Sequence, residues 1–252
     1  MSKFIVSSEV AELLPRMQVV VVIAKGLVNS GENPNTAAHV QSVVDKTVEY
    51  FTANKLANAQ SHPRIALYRN ELKNAANVSS KKYPQSNESL LKRVLKEKKA
   101  PRPISPAVDF YNSVSIEHLV TAGAFDLHEL KAKSDPLELR VAKVDADTFV
   151  PLDAPDAPPA KVDAKEILYA QGPTVLTRHL AWRQSAQALV TAESKEVMFM
   201  SEVFNDGEVG SEPSELAKSV ANSLQEGLKQ LFDVDSSVEY LGKSLGKLET
   251  DL

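Results

Sequence analysis

Apolar residues along this chain change their period several times, and each change marks an element. Val19-Val20-Val21-Val22-Ile23-Ala24 is an unbroken, largely β-branched run ending near Gly26, which predicts a strand buried on both faces. Asn33-Pro34-Asn35 then supplies turn chemistry, with Asn35 placed to cap a helix. Ala37, Val40, Val44, Val48 and Phe51 recur at helical spacing, so an amphipathic helix is predicted over roughly residues 36–55. His62-Pro63 interrupts that pattern. Ile65, Tyr68, Leu72 and Ala75 predict a second helix, and Leu90, Leu91, Val94 and Leu95 a third, opened by Ser86.

From residue 103 onward prolines alternate with short apolar stretches. Strands are predicted at Leu137–Val141, Ile167–Ala170, Thr174–Thr177 and Glu196–Met200. Residues 153–160 hold three prolines and form a loop, because proline removes ladder donors from a sheet. Ser211-Glu212-Pro213-Ser214-Glu215 opens a last helix with Pro213 in its first turn, and Ala217, Val220, Ala221, Leu224, Leu228 and Leu231 supply its apolar face. No internal repeat is visible.

Composition narrows the picture. At 252 residues and 43% hydrophobic, the chain can bury a substantial core. A net charge of −4 argues against a protein that coats nucleic acid through bulk charge. The absence of cysteine removes disulfides, thiolate nucleophiles and thiolate metal sites together, and fits a reducing compartment. The longest strongly apolar run is too short to span a bilayer, and residues 1–16 lack the apolar core of a secretion signal, so a cytoplasmic protein without membrane contact is expected.

Charge is uneven, however. Between residues 81 and 102, Lys81, Lys82, Lys92, Arg93, Lys96, Lys98, Lys99 and Arg102 oppose only Glu88 and Glu97. Such a run attracts phosphates in a salt-dependent way, or else is simply a solvated helix face.

No phosphate loop, nucleophile elbow or paired-histidine zinc motif is present. The five histidines show no recognised ligand spacing, and neither a metal nor another cofactor is expected. Residues 177–183 gather Arg178, His179, Trp182 and Arg183, including the only tryptophan. Arginine forks match oxyanions and stack on rings, so the cluster suits a carboxylate, phosphate or planar base; equally, Trp182 packs inside and the arginines pair locally. Asp109 and Asn112 share a face if residues 108–112 are helical, with Phe110 and Tyr111 between them.

Several segments together resemble the B3/B4 editing domain of the phenylalanyl-tRNA synthetase β-chain, in particular free-standing relatives of it. Val108-Asp109-Phe110-Tyr111-Asn112 followed by Gly123-Ala124-Phe125-Asp126 is similar to that domain's VD-x-x-N run and the GxPLHAFD-like segment after it. Residues 137–153 resemble its strand with an Arg-x-Ala and a Leu-Asp turn, and residues 190–204 its closing run. Lys81-Lys82-Tyr83, Ser86, Glu88, Leu90 and Arg93, with Trp182-Arg183, match segments of the free-standing relatives. The ordered matches span about residues 60 to 205. This chain departs from the pattern at Gly123, which stands where the motif has histidine, and at Met200, which falls opposite the family glutamate; Glu202 lies two residues on, on the same strand face.

The resemblance implies an α+β fold, a mixed or antiparallel sheet flanked by helices, with a cleft that takes the acylated 3′ end of tRNA. Residues 61–205 would be the B3/B4-like core, 1–60 a strand-helix portion packed on it, and 206–252 a C-terminal helix and tail. Aminoacyl-tRNA is the expected partner. Glu202 or Asp126 would position the attacker, Tyr111, Asn112, Phe125, Glu129, Arg178, His179, Trp182 and Arg183 would hold the substrate, and the basic residues between 81 and 102 would meet the tRNA. If the attacker is water, the reaction is deacylation of a mischarged tRNA. If it is a second aminoacyl amine, the product is a cyclic dipeptide; the acidic pair Asp126 and Glu129 partly matches a signature of arginine-containing cyclodipeptide synthases. A non-catalytic tRNA- or ligand-binding module is the third reading.

Overall fold

The valine run becomes β2 (Met17–Lys25), a strand buried on both faces inside a four-stranded antiparallel sheet. The computed structural model describes residues 2–252. Before the run lie β1 (Lys3–Val6) and α1 (Ser8–Leu13), and after it α2 (Pro34–Ala53), α3 (Pro63–Ala76), α4 (Ser86–Glu97) and α5 (Pro106–His118). Short elements follow: β3 (Gly123–Asp126), α6 (Leu127–Lys131), β4 (Leu137–Val141), β5 (Thr148–Phe149), β6 (Ala160–Lys161), β7 (Ile167–Gln171), β8 (Thr174–Arg178) and β9 (Arg183–Gln184). The chain closes with β10 (Glu196–Phe204), α7 (Glu215–Phe232), β11 (Ser236–Leu241) and β12 (Glu249–Asp251).

These strands form two sheets, giving an α+β fold. The smaller runs β11-β2-β10-β3. The larger runs β12-β1-β4-β7-β8-β5-β6, with β9 paired to β8. It is mixed: β1 pairs β4 and β5 pairs β8 in parallel, the others antiparallel. One continuous core joins both sheets and the helices over them, through Phe4 and Tyr169 on one side and Val20, Phe199 and Leu224 on the other. Among the described residues no helix is long and apolar enough to cross a membrane.

Helix boundaries differ from the sequence expectation by a few residues, for local reasons. Asn33, not Asn35, caps α2, because Pro34 takes the first helical position and Asn33 Oδ1 accepts from Thr36 N at 3.1 Å. Ser214 caps α7 by accepting from Ala217 N at 3.1 Å, which leaves Pro213 outside the helix. The residues after α7 contribute two strands: β11 pairs β2, and β12 pairs β1.

Where α5 crosses α7, the contact is too close for any side chain on one helix. A Cβ on Gly227 would lie 2.2 Å from the ring of Phe110, which is itself fully buried and packed edge-on against Phe199 and Phe232. The helix propensity gained by Gly227→Ala, about 0.5–1 kcal/mol, is smaller than the cost of displacing an aromatic ring, about 1–3 kcal/mol. Gly227→Ala is therefore expected to lower the urea midpoint, while Gly210→Ala, where a Cβ meets nothing within 4 Å, leaves it nearly unchanged.

Candidate functional site

Where the two sheets meet under α4 and α5, they leave a cavity of about 220 Å3. Ser86 of α4, Tyr111 and Asn112 of α5, Phe125 of β3, Tyr169 of β7 and the hairpin residues Trp182 and Arg183 line it, together with Met200 and Glu202 of β10. Period-two geometry puts Met200 and Glu202 on one face of β10, and both reach the cavity.

Glu202 is the chemically distinctive wall. It is 3% exposed, and no salt bridge among the described residues compensates its charge. Thr121 Oγ1 donates to Glu202 Oε2 at 2.5 Å, and the Tyr169 hydroxyl donates to Oε1. The Tyr68 hydroxyl donates to the backbone carbonyl of the same residue. Burial raises the pKa of Glu202, opposed by the donors Thr121 and Tyr169. Burial also pushes the Tyr111 phenol up to about 12, with a smaller contribution from Asp109.

The mouth of the cavity is built by the β8–β9 hairpin. His179 and Leu180 both have left-handed backbone, at φ 45° and 67°. Such consecutive residues persist only where the surroundings hold them. Leu180 is fully buried, and Gln85 holds the turn from both sides: its amide donates to His179 O at 2.9 Å and accepts from Ala181 N at 3.1 Å. Gln85 also precedes α4 without capping it, and Ser86 N donates to Ala181 O at 2.9 Å. Trp182 is presented beside the cavity by an aromatic stack: His179 lies on Tyr83 at 3.7 Å between centroids, and Trp182 meets Tyr83 edge-on at 4.7 Å. The Ser86 hydroxyl is buried and has no hydrogen-bond partner among the described residues, so it is free to meet a ligand.

Six of the residues singled out from the sequence thus share one hollow: Tyr111, Asn112, Phe125, Trp182, Arg183 and Glu202. Four others lie outside its lining and are engaged elsewhere in the fold. Asp126 caps α6, accepting from Glu129 N at 3.0 Å and from the Ser194 hydroxyl. Glu129 accepts from Ala188 N at 2.7 Å. Arg178 pairs with buried Glu166 at 2.6 Å. His179 serves the aromatic stack.

Asp163, Glu166 and His179 bring ligand atoms within 4.8 Å of one another, a metal-like spacing. The Arg178 guanidinium already occupies this cluster, 2.6 Å from Glu166 and 3.5 Å from Asp163, so a divalent ion would displace a fixed cation. The donor set is one for arginine.

The basic residues between 81 and 102 are all exposed. Lys92, Arg93 and Lys96 project from α4, Lys98, Lys99 and Arg102 follow it, and Lys81 and Lys82 precede it. Buried Glu88 anchors the helix through Arg69 at 2.8 Å and Lys92 at 2.6 Å. Burial raises the Glu88 pKa, but the combined donors and cations hold it below the ordinary carboxylate range. Ser86, the first residue of α4, lines the cavity, and Lys92, Arg93 and Lys96 lie further along the same helix.

A family model described as the B3/4 domain matches residues 74–223, more than half of the chain and all of these cavity walls. This protein belongs to the B3/4 domain family. Among solved structures it is similar to an N-terminal fragment of the phenylalanyl-tRNA synthetase β-subunit from Pyrococcus horikoshii, with 10% identity and a TM-score of 0.45. That likeness covers 92% of this chain and 49% of the fragment, so the chain spans about half the fragment's length. No curated protein matches it.

Four residues around the cavity were not singled out for it from the sequence: Gln85, Ser86 as a free hydroxyl, Thr121 and Tyr169. Polar residues of these types carry no spacing signal. Only Glu202, a glutamate set within the apolar part of β10, hinted that donors must gather around it.

Glu202 gives a pH signature. Because its pKa is raised in the folded protein, proton uptake contributes stability that is fully present below its ordinary 4.5 and is lost as pH rises through the folded value. Glu202→Gln cannot take part in that titration. Urea unfolding between about pH 4 and about pH 8 is expected to show the variant gaining on the wild type as pH rises; a difference independent of pH contradicts the assignment.

Proposed function

We propose that this protein hydrolyses the ester of a misacylated aminoacyl-tRNA, with the aminoacyl group in the Glu202 cavity and the tRNA along α4. The carrying observation is a cavity of about 220 Å3 with one carboxylate that no cation compensates, walled in part by the first residue of a helix that carries exposed cations further along. A void of about 150 Å3 accepts benzene, so this one takes an amino-acid side chain up to ring size and excludes a nucleotide. The terminal adenosine therefore stays at the mouth, where Trp182 offers a stacking face and Arg183 a donor fork. Arg183 is held in place by Asp153 at 2.5 Å.

An aminoacyl ester is already activated and needs no covalent nucleophile. Glu202 has lone pairs left after Thr121 and Tyr169 have donated, and orients a water toward the ester carbonyl carbon. The carbonyl electrons move onto oxygen, where the free Ser86 hydroxyl donates. Collapse breaks the bond to the ribose oxygen, which leaves with the water's proton, releasing amino acid and tRNA. Asp126 and Glu129, the acids that an amine-attack reaction would draw upon, are held by Ser194 and Ala188, which favours water.

Purified protein incubated with a panel of charged tRNAs is expected to release amino acid selectively from a subset. Glu202→Gln lowers that rate by about 100-fold or more, in the range of losing a positioned acid–base group. Uniform inertness across the panel refutes the reading. Reversing Lys92, Lys96 and Lys99 to glutamate is expected to weaken tRNA binding and flatten its dependence on salt, as measured by filter binding over a salt series.

A further inference from the structure

A second, larger cavity of about 570 Å3 shares one wall residue, Asn112, with the Glu202 cavity. It opens between the start of α2 and the start of α5. Its body is apolar: Pro34, Pro101, Pro103 and Pro106 present flat ring faces, beside Val40 and Ile104. Its charge has one sign. Asp109 and Glu32 line it, and among the described residues no lysine, arginine or histidine does.

Two features show that this is more than a crease. Thr36 is 2% exposed, yet its hydroxyl has no hydrogen-bond partner among the described residues. A buried hydroxyl left unpaired is destabilising unless something enters to meet it. Asp109 is half-buried, and only one of its oxygens is engaged, Oδ1 accepting from Ile104 N at 2.9 Å. Among the described residues it has no salt-bridge partner, and burial raises its pKa.

Two helix starts ordinarily favour an anion, so the sign must be decided. Both α2 and α5 begin with proline, which has no N–H to offer. Of the donors that follow, Thr36 N is bound to Asn33 Oδ1 at 3.1 Å and Ala107 N to Asn29 Oδ1 at 2.8 Å, while Asn35 and Val108, whose N–H groups are not bound within the chain, do not line the cavity. Ala37 N and Asp109 N bond to Asn33 O and Ser105 O. What the lining then offers a ligand is the Asp109 carboxylate, the Glu32 carboxylate at the rim, the Thr36 hydroxyl and the neutral Ser105 hydroxyl and Asn112 amide, with no cation among the described residues. We propose that this cavity binds a small organic cation, a primary ammonium on an apolar, ring-sized body, with the ammonium between Asp109 and Thr36 and the body against the prolines.

The site is independent of what the neighbouring cavity binds, and its test needs no tRNA. The whole chain, labelled with nitrogen-15, is titrated with phenethylamine, phenethyl alcohol and phenylacetate, which share a body and differ in the head group. Phenethylamine is expected to give saturable amide shifts at Thr36, Ile104 and Asp109. The alcohol binds about tenfold more weakly, the size of a lost charge-assisted hydrogen bond, and phenylacetate does not bind there. Asp109→Asn keeps the acceptor for Ile104 N and is expected to weaken the amine about tenfold. Thr36→Val, which removes only the unpaired hydroxyl, weakens it a few-fold without loss of stability. Phenylacetate binding as tightly as the amine, shifts confined to the Glu202 cavity, no saturable shift, or an Asp109→Asn variant that binds normally would each overturn the proposal.

Discussion

A carboxylate buried without a cation is expensive unless donors surround it, and Glu202 sets the relation of the two sheets for that reason. Its donors come from different parts of the chain: Tyr169 from β7 of the larger sheet, Thr121 from the segment entering β3 of the smaller one. Tyr68 of α3 fixes the carbonyl of the same residue, and its ring packs edge-on against Phe204 four ångströms and more away, at 4.7 Å between centroids. Sliding one sheet against the other would strand the charge. The same constraint leaves a hollow beside it, because the side chains that satisfy the carboxylate approach from only part of its circumference.

Around that fixed point the helices divide the work. The helix α5 carries Tyr111 toward the Glu202 cavity and Asp109 toward the larger one, with Asn112 reaching both. Its other face is committed to packing, Phe110 filling the space against Gly227 of α7. The helix α4 is held from beneath by Glu88, so the cations on its exposed face sit on a rigid support rather than a loose tail. A helix anchored by a buried acid and exposing lysines combines a local ion pair with a wider field, and only the field extends into solvent.

Much of this was legible in the sequence, and the rest fails for physical reasons. The strand β2 announces itself because every position of Val19–Val22 is apolar and branched, and α2 and α7 because their apolar residues keep helical spacing over four or more turns. The strand β3 is different. Gly123-Ala124-Phe125-Asp126 has weak strand propensity and exists because β10 offers it an edge nearly eighty residues away in the chain. The tail after α7 likewise gains its strands from pairing with β1 and β2. At the site, six of the residues singled out from the sequence, Tyr111, Asn112, Phe125, Trp182, Arg183 and Glu202, line one cavity. For Asp126, Glu129, Arg178 and His179 the chemistry was readable but the partners were not: Ser194, Ala188, Glu166 and Tyr83 lie from a dozen to nearly a hundred residues distant, and no spacing rule reports them.

One side chain, Gln85, ties the tip of the β8–β9 hairpin to the first turn of α4 through both ends of its amide. The charged helix and the tryptophan-bearing turn therefore behave as a single mechanical piece. Moving the first turn of α4 away from the rim on which Trp182 stands would break both of these hydrogen bonds.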